Sequence, residues 1–164
     1  RESNRARSTA MTAPSCKAWV LPMDASIHAA IGEGEIAHVL PGLHPLQHLP
    51  RCPDWCRSIF RWHERLVPLF DLVALLHPQT AATDGQAIAV VAYPGIDNSV
   101  QYGGLKLGAL PFRRRVSDDQ QCDFPPSSPH WERIASSCFE DQLHGRIPVL
   151  DLARVFSVTS AEWM

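Results

Sequence analysis

The chain has 164 residues, with 15 Lys plus Arg against 17 Asp plus Glu and a formal net charge of −2. That balance supplies no field for steering toward nucleic acid or an anionic membrane, and 45% hydrophobic with 20% charged residues is globular rather than disordered usage. The 14 prolines against 9 glycines exclude a helical bundle, because proline inside a helix costs about 3 kcal/mol.

In chain order, Arg1–Ala10 is polar and Arg-rich with no apolar segment behind it, so no secretory signal is expected. Met11 reads as a native start. Residues 1–15 are taken as a leader, 16–158 as the folded domain and 159–164 as a tail. Ala18–Leu21 is a strand ended by Pro22, and Glu33–Leu40 a short helix. Pro41–Pro53 is a proline-punctuated loop. Ser58–Trp62 and Leu66–Phe70 flank the polar trio His63-Glu64-Arg65 as a hairpin. Leu66–Leu76 is the longest apolar stretch and is interrupted by Asp71. A membrane-spanning helix needs about 20 apolar residues, so none is expected. Ala87–Ala92 is a continuous apolar strand ended by Pro94-Gly95, and Gln101–Phe112, with three glycines, reads as one bent strand. Ser117–Pro129 is a second surface loop, and Leu143–Leu150 closes the series.

The strongest internal signal is a repeat. Val67-Pro68-Leu69-Phe70-Asp71-Leu72 matches Ile147-Pro148-Val149-Leu150-Asp151-Leu152 at an offset of 80 residues, and the match runs on into Leu75-Leu76 against Val155-Phe156. Each copy predicts a strand entered through a proline, which should face an edge or a bulge. An aspartate suited to cap a short helix follows. Duplication explains why proline, aspartate and apolar positions agree in register; the alternative is coincidence between two short apolar segments. The fold class expected is all-β: two small barrel-like halves of about five strands, with short capping helices.

No phosphate loop, dinucleotide fingerprint, HExxH or GxSxG occurs, and the acidic pairs Asp118-Asp119 and Glu140-Asp141 sit in polar segments, so no catalytic residue, cofactor or enzymatic activity is expected. Five cysteines without a signal peptide suggest free thiols in a reducing cytoplasm. His44, His48, Cys52 and Cys56 are each four residues apart and would line one helix face, but Pro45, Pro50 and Pro53 forbid that helix. A loop gathering these four is the alternative route to a metal- or thiol-dependent regulator. Arg113-Arg114-Arg115 reads as a solvated strand end neutralised by Asp118, Asp119 and Asp123. Trp19, Trp55 and Trp131 are expected in the core, and Trp62 beside the hairpin tip is expected to be partly exposed, as an interface anchor would be.

From about Lys17 to Val158 the chain resembles the CheW-like family, the coupling domain of bacterial chemosensory arrays. Three stretches carry the resemblance. Leu49-Pro50-Arg51-Cys52-Pro53-Asp54-Trp55 is similar to the family's Ile-Pro-x-x-Pro-x-Phe lead into a strand. Ser58–Leu72 is similar to Gly-Val-x-Asn-Leu-Arg-Gly-x-x-x-Pro-x-x-Asp-Leu, keeping Pro68 and Asp71-Leu72. Trp131–Phe156 is similar to the closing segment of apolar strand, Asp and short helix. The resemblance implies two intertwined SH3-like five-stranded barrels, and a non-catalytic cytoplasmic adaptor linking a methyl-accepting chemoreceptor tip to a CheA-type histidine kinase, without nucleic acid or membrane insertion. It also implies a receptor-facing hairpin of Arg61, Trp62, His63, Glu64 and Arg65, with Val39 nearby. Cys52 and Cys56 fall at small or apolar positions of the pattern. Two departures stand out. The family's Arg-Gly pair is His63-Glu64 here, which predicts either a different turn or a side chain in a left-handed conformation. Gly108-Ala109-Leu110-Pro111-Phe112 replaces a Gly-x-x-Val-Asp segment. Both mark a divergent member, of a chemotaxis or a pilus-type system.

Overall fold

Apolar runs bounded by proline, glycine and aspartate become eleven short strands in the computed structural model, which describes residues 14–42, 44–79 and 85–158. Residues 1–13 of the expected leader and the tail 159–164 lie outside the described residues; Ser15 already belongs to a strand. The strands are β1 (Ser15–Pro22), β2 (His28–Gly32), β3 (Ile36–Pro41), β4 (Gln47–His48), β5 (Ser58–Trp62), β6 (Arg65–Phe70), β7 (Ala87–Pro94), β8 (Val100–Leu107), β9 (Phe112–Ser117), β10 (Ala135–Asp141) and β11 (Gly145–Leu150). Three short helices, α1 (Leu72–Leu76), α2 (Trp131–Ile134) and α3 (Leu152–Ser157), complete the fold.

The strands form two sheets, β10-β11-β2-β1-β9 and β3-β7-β8-β6-β5-β4. The first rolls on itself: beyond the end of β9, Gln121 bridges to Phe139 of β10 and closes a small barrel. The second curls until β3 approaches β5, with the His38 and Trp62 rings 6.5 Å apart and His44 Nε2 donating to the Arg61 carbonyl at 3.0 Å. The halves are intertwined, because β1 and β2 belong to the barrel completed by the last three strands.

Period-2 alternation distributes the core. On β7, Ile88 and Val90 point into the second barrel with Leu40, Phe60, Val67 and Leu69. Ala87, Ala89 and Val91 point the other way, into a central core shared by both sheets and all three helices. On β2, Ala30 joins Ala18, Val20, Phe139 and Ile147 inside the first barrel, while Ala29 and Ile31 face the shared core. Strands buried on both faces read as continuous apolar runs, which is why β7 shows no alternation in its sequence.

The repeat has a geometric counterpart. β6 pairs antiparallel with β5 and then parallel with β8 at Leu69↔Gly104. β11 pairs antiparallel with β10 and then parallel with β2 at Val149↔Ala30. Asp71 accepts from Ala74 N at 3.2 Å and Asp151 from Arg154 N at 3.3 Å, each capping the helix that follows. Their own N–H groups donate to Trp55 O and Ile134 O at 2.8 and 2.9 Å.

The structure corrects several expectations. Glu33–Leu40 is not a helix: Glu33–Glu35 is one 3-10 turn, closed by Glu35 Oε1 accepting from Gly32 N at 2.7 Å, and the chain then leaves as β3 to pair with β7. Gln101–Phe112 is two strands, because the chain turns away after Leu107, with Gly108 N donating to Pro22 O, and crosses to the other sheet. The turn of the first hairpin is His63-Glu64 alone, Arg65 being the first residue of β6. Leu143 and His144 precede β11 in a turn rather than lying within the strand. Pro68 and Pro148 lie on interior strands rather than at an edge or bulge, one residue before the parallel partner joins. Beside Pro148, the Cys138 carbonyl turns away to accept from Cys122 N at 3.0 Å, so no acceptor on β10 is stranded by the missing N–H.

The arginine run is neutralised by other partners than the three aspartates named from the sequence: Arg113 pairs with Glu33 at 3.6 Å and lies over Trp19, Arg114 pairs with Asp141 at 3.0 Å, and Arg115 donates to Ser15 Oγ. Trp19 is consequently half-buried beneath Arg113, whereas Trp55 and Trp131 are buried.

Candidate docking site

The β5–β6 hairpin is built by pairing Ser58↔Leu69, Ile59↔Pro68, Phe60↔Val67, Arg61↔Leu66 and Trp62↔Arg65. Phe60 and Val67 fill the barrel interior, and Trp62 extends that inner face to the barrel mouth. Ile59, Pro68, Arg61 and Leu66 therefore share the outward face. Leu66 is 66% exposed, an apolar side chain on the outer surface opposite the exposed Arg61.

Between the strands stand two residues, His63 (φ 48°) and Glu64 (φ 62°), both in the left-handed region. Two positive φ values in a two-residue loop are the geometry of a type I′ turn, normally supplied by Asn and Gly. Left-handed residues with a Cβ cost about 1–2 kcal/mol each. The hairpin thus keeps the tight turn and holds strain at its tip, and strain of this kind concentrates at functional positions.

An aromatic and cationic cluster braces the tip. The His63 ring lies edge-on to Trp62 at 4.4 Å, Trp62 meets Tyr102 of β8 at 5.0 Å, and the Arg65 guanidinium sits over Tyr102 at 5.1 Å. Trp62 is half-buried, and its indole N–H is enclosed without an acceptor. Val39, expected beside the hairpin, packs against the shared core instead; its neighbour His38 is the β3 residue that approaches Trp62. Sequence reasoning missed Leu66, Tyr102 and His38, because only the cross-strand pairing reveals the first, only the parallel β6–β8 pairing brings in the second, and only barrel closure brings in the third.

The His44–Cys56 segment does not converge. His44 is engaged by Arg61 O, His48 Nδ1 shares a hydrogen bond with Ser58 Oγ at 3.1 Å, and Cys56 is half-buried against the shared core with its thiol pushed up by burial and by Cys52. Among the described residues no three His, Cys, Asp or Glu side chains form a group able to hold a metal. Among them, too, no helix is long and apolar enough to cross a membrane.

No family model matches the sequence, and no curated protein matches it. Among solved structures, the chain is similar to the scaffolding protein TtCheW from Thermoanaerobacter tengcongensis, at 13% sequence identity and a TM-score of 0.68, over 91% of this chain and 92% of that one. The chain has a CheW-like fold. At that identity the likeness is one of fold, spanning both barrels. Within the CheW-like frame the sequence resemblance puts the family's glycine at Glu64, whose φ of 62° is the conformation glycine supplies without cost. Of the two alternatives expected from the sequence, the structure has the side chain in a left-handed conformation.

Proposed function

We propose that this chain is a non-catalytic cytoplasmic adaptor that couples the tip of a methyl-accepting chemoreceptor to a CheA-type histidine kinase, in a chemotaxis or pilus-type array. The observation that carries the proposal is the β5–β6 hairpin. A strained two-residue tip with His63 and Glu64 exposed adjoins an outward face that pairs the cation Arg61 with exposed Leu66. A rigid edge with one apolar anchor and flanking charges suits docking to another protein, where a few side chains dominate affinity. The fold shared with a scaffolding protein supports the same reading.

In this reading the receptor meets Arg61, His63, Glu64, Arg65 and Leu66, with Trp62 stiffening the strand end, and the kinase meets the other barrel. Val39 serves the core beneath β3 rather than the contact itself. The test is capture of a chemoreceptor tip fragment and of a kinase regulatory domain from the same organism. Leu66→Lys should reduce receptor-tip capture at least tenfold while leaving the melting temperature and kinase capture unchanged. His63→Glu should reduce receptor-tip capture as much, with kinase capture unchanged and a small fall in melting temperature from the lost ring contact with Trp62. Trp62→Ala should lower both receptor capture and the melting temperature, because the ring packs on Tyr102 and His63. Absence of binding to either partner by the unsubstituted protein would overturn the proposal.

A further inference from the structure

The seam that closes the first barrel joins β9 and the segment after it to β10, with the Arg114–Asp141 ion pair at 3.0 Å beside three further contacts. Gln120 Nε2 donates to Glu140 O at 3.2 Å, Gln121 bridges to Phe139, and Cys122 N donates to Cys138 O at 3.0 Å. Cys122 and Cys138 therefore stand directly opposite one another across an antiparallel bridge. Their sulfurs are 3.5 Å apart, with the Cys122 S–H donating to Cys138 Sγ. Directly opposed residues of such a bridge have Cα atoms about 4.5–5.5 Å apart, inside the range a disulfide spans. Both thiols are free, and both line an open cavity of about 590 Å³ walled by Phe124, Pro125, Ser128 and Trp131. Small solutes thus have a route to the pair.

The geometry points to Cys122 and Cys138 as a reversible dithiol–disulfide pair, an oxidation site whose closed form staples the seam of the first barrel. The two cysteines have different parts. Cys122 is half-buried and reachable from the cavity, whereas Cys138 is 3% exposed and burial, with the neighbouring Cys122, pushes its thiol up to about 12. Cys122 is the attacking sulfur for a hydroperoxide. Its thiolate attacks one peroxide oxygen, the O–O bond breaks, and the departing hydroxide (or alkoxide) takes up a proton to leave as water or an alcohol. Cys122 is oxidised by two electrons to the sulfenic acid, and the peroxide is reduced by the same two. Cys138 sulfur then attacks Cys122 sulfur, the S–S bond forms, the S–O bond breaks, and the leaving hydroxide takes the Cys138 proton as a second water. With hydrogen peroxide, two thiols yield one disulfide and two waters. A dithiol such as dithiothreitol reverses the pair by two exchange steps.

The experiment is hydrogen peroxide treatment of the whole purified chain, then alkylation, intact-mass measurement and non-reducing peptide mapping. The expected product is 2 Da lighter, carries two fewer alkylatable thiols, and contains one cross-linked peptide joining Cys122 to Cys138. Its melting temperature should rise by roughly 5–10 °C, as a loop of this length closed covalently implies, and should return on adding dithiothreitol. Cys122→Ser, at the half-buried position, should abolish both the mass loss and the melting shift while keeping the fold. Cys138→Ala should stop oxidation at a sulfenic acid on Cys122, trapped by dimedone. Retention of all five alkylatable thiols, a cross-link between Cys52 and Cys56 instead, or an unchanged melting temperature in the linked protein would overturn the inference.

Discussion

At Glu64 the chain adopts a φ of 62° with a side chain attached, and the neighbouring His63 does the same at 48°. Glu64→Gly should relieve the left-handed penalty and raise stability by about 1 kcal/mol, net of the greater freedom glycine gives the unfolded chain. Urea titration checks this, and a destabilised variant would show that Glu64 makes compensating contacts. A second residue-scale effect lies at the turn before β11. The His28 ring packs on His144 at 4.4 Å and on Phe112 at 6.4 Å. Burial lowers its pKa from 6.5, His144 lowers it further, and Asp24 and Asp141 oppose the shift without reversing it. The unfolded chain therefore binds the proton more readily, so stability should fall as pH drops through 6.5 toward the folded value. His28→Phe should flatten that slope in urea titrations between pH 7 and 5.5. Asp141 acts in a lower window. Burial raises its carboxyl, but hydrogen bonds from Leu143 N–H, Arg114 and His144 N–H outweigh burial and hold it below 3.8, so its contribution is lost only in stronger acid.

The two aspartate caps set the element scale. Asp71 and Asp151 occupy equivalent corners, yet Asp71 also pairs with Lys106 of β8 at 3.5 Å, with both side chains largely enclosed. Asp151 pairs with Arg154 of its own helix at 3.3 Å. Loss of a cap costs about 1 kcal/mol. Asp151→Ala should show that much in thermal melts and Asp71→Ala about twice as much, because the second removal also breaks the largely enclosed ion pair with Lys106. The glycine pair of β8 carries a second prediction. A Cβ on Gly104 would lie 2.5 Å from the Phe60 ring, and one on Gly103 would lie 2.2 Å from Phe156. Gly104→Ala should destabilise by about 1–3 kcal/mol, as overpacking does, with Phe60→Leu partly restoring the melting temperature. How far these elements can be read from sequence follows from their neighbours. β7, the hairpin and both capped helices are legible in Ala87–Ala92, Ser58–Phe70 and the Pro68/Pro148 repeat. β2 (HAAIG) and β10 (ASSCFED) lack strand-forming composition and exist through their partners. The proposed docking site divides the same way: Arg61–Arg65 is legible as a hairpin, whereas His38 and Tyr102 arrive from strands distant in sequence.

For the whole molecule, the sheet orders mean that neither half of the sequence owns a barrel. Residues 14–79 and 85–158 expressed separately should each remain unfolded by circular dichroism and regain β structure only when mixed. A fragment that folds alone would show that its barrel tolerates loss of the exchanged strands. The three-way contact around Phe156 reinforces this dependence: the α3 ring stacks on Tyr93 at 5.1 Å, meets Phe70 at 4.7 Å and rests over Gly103, so the last helix seals the sheet it does not follow. The exchange of strands also fixes an order of events during synthesis. β1 and β2 emerge from the ribosome first, but β11, which flanks β2 directly, emerges last. At about 5–20 residues per second, Ala29, Ala30 and Ile31, all fully buried at the end, wait roughly 5–25 s for that cover. The β1–β2 hairpin is thus born as a sticky ribbon, and a shielding chaperone on the nascent chain would matter more for this protein than for one whose barrels close one after the other.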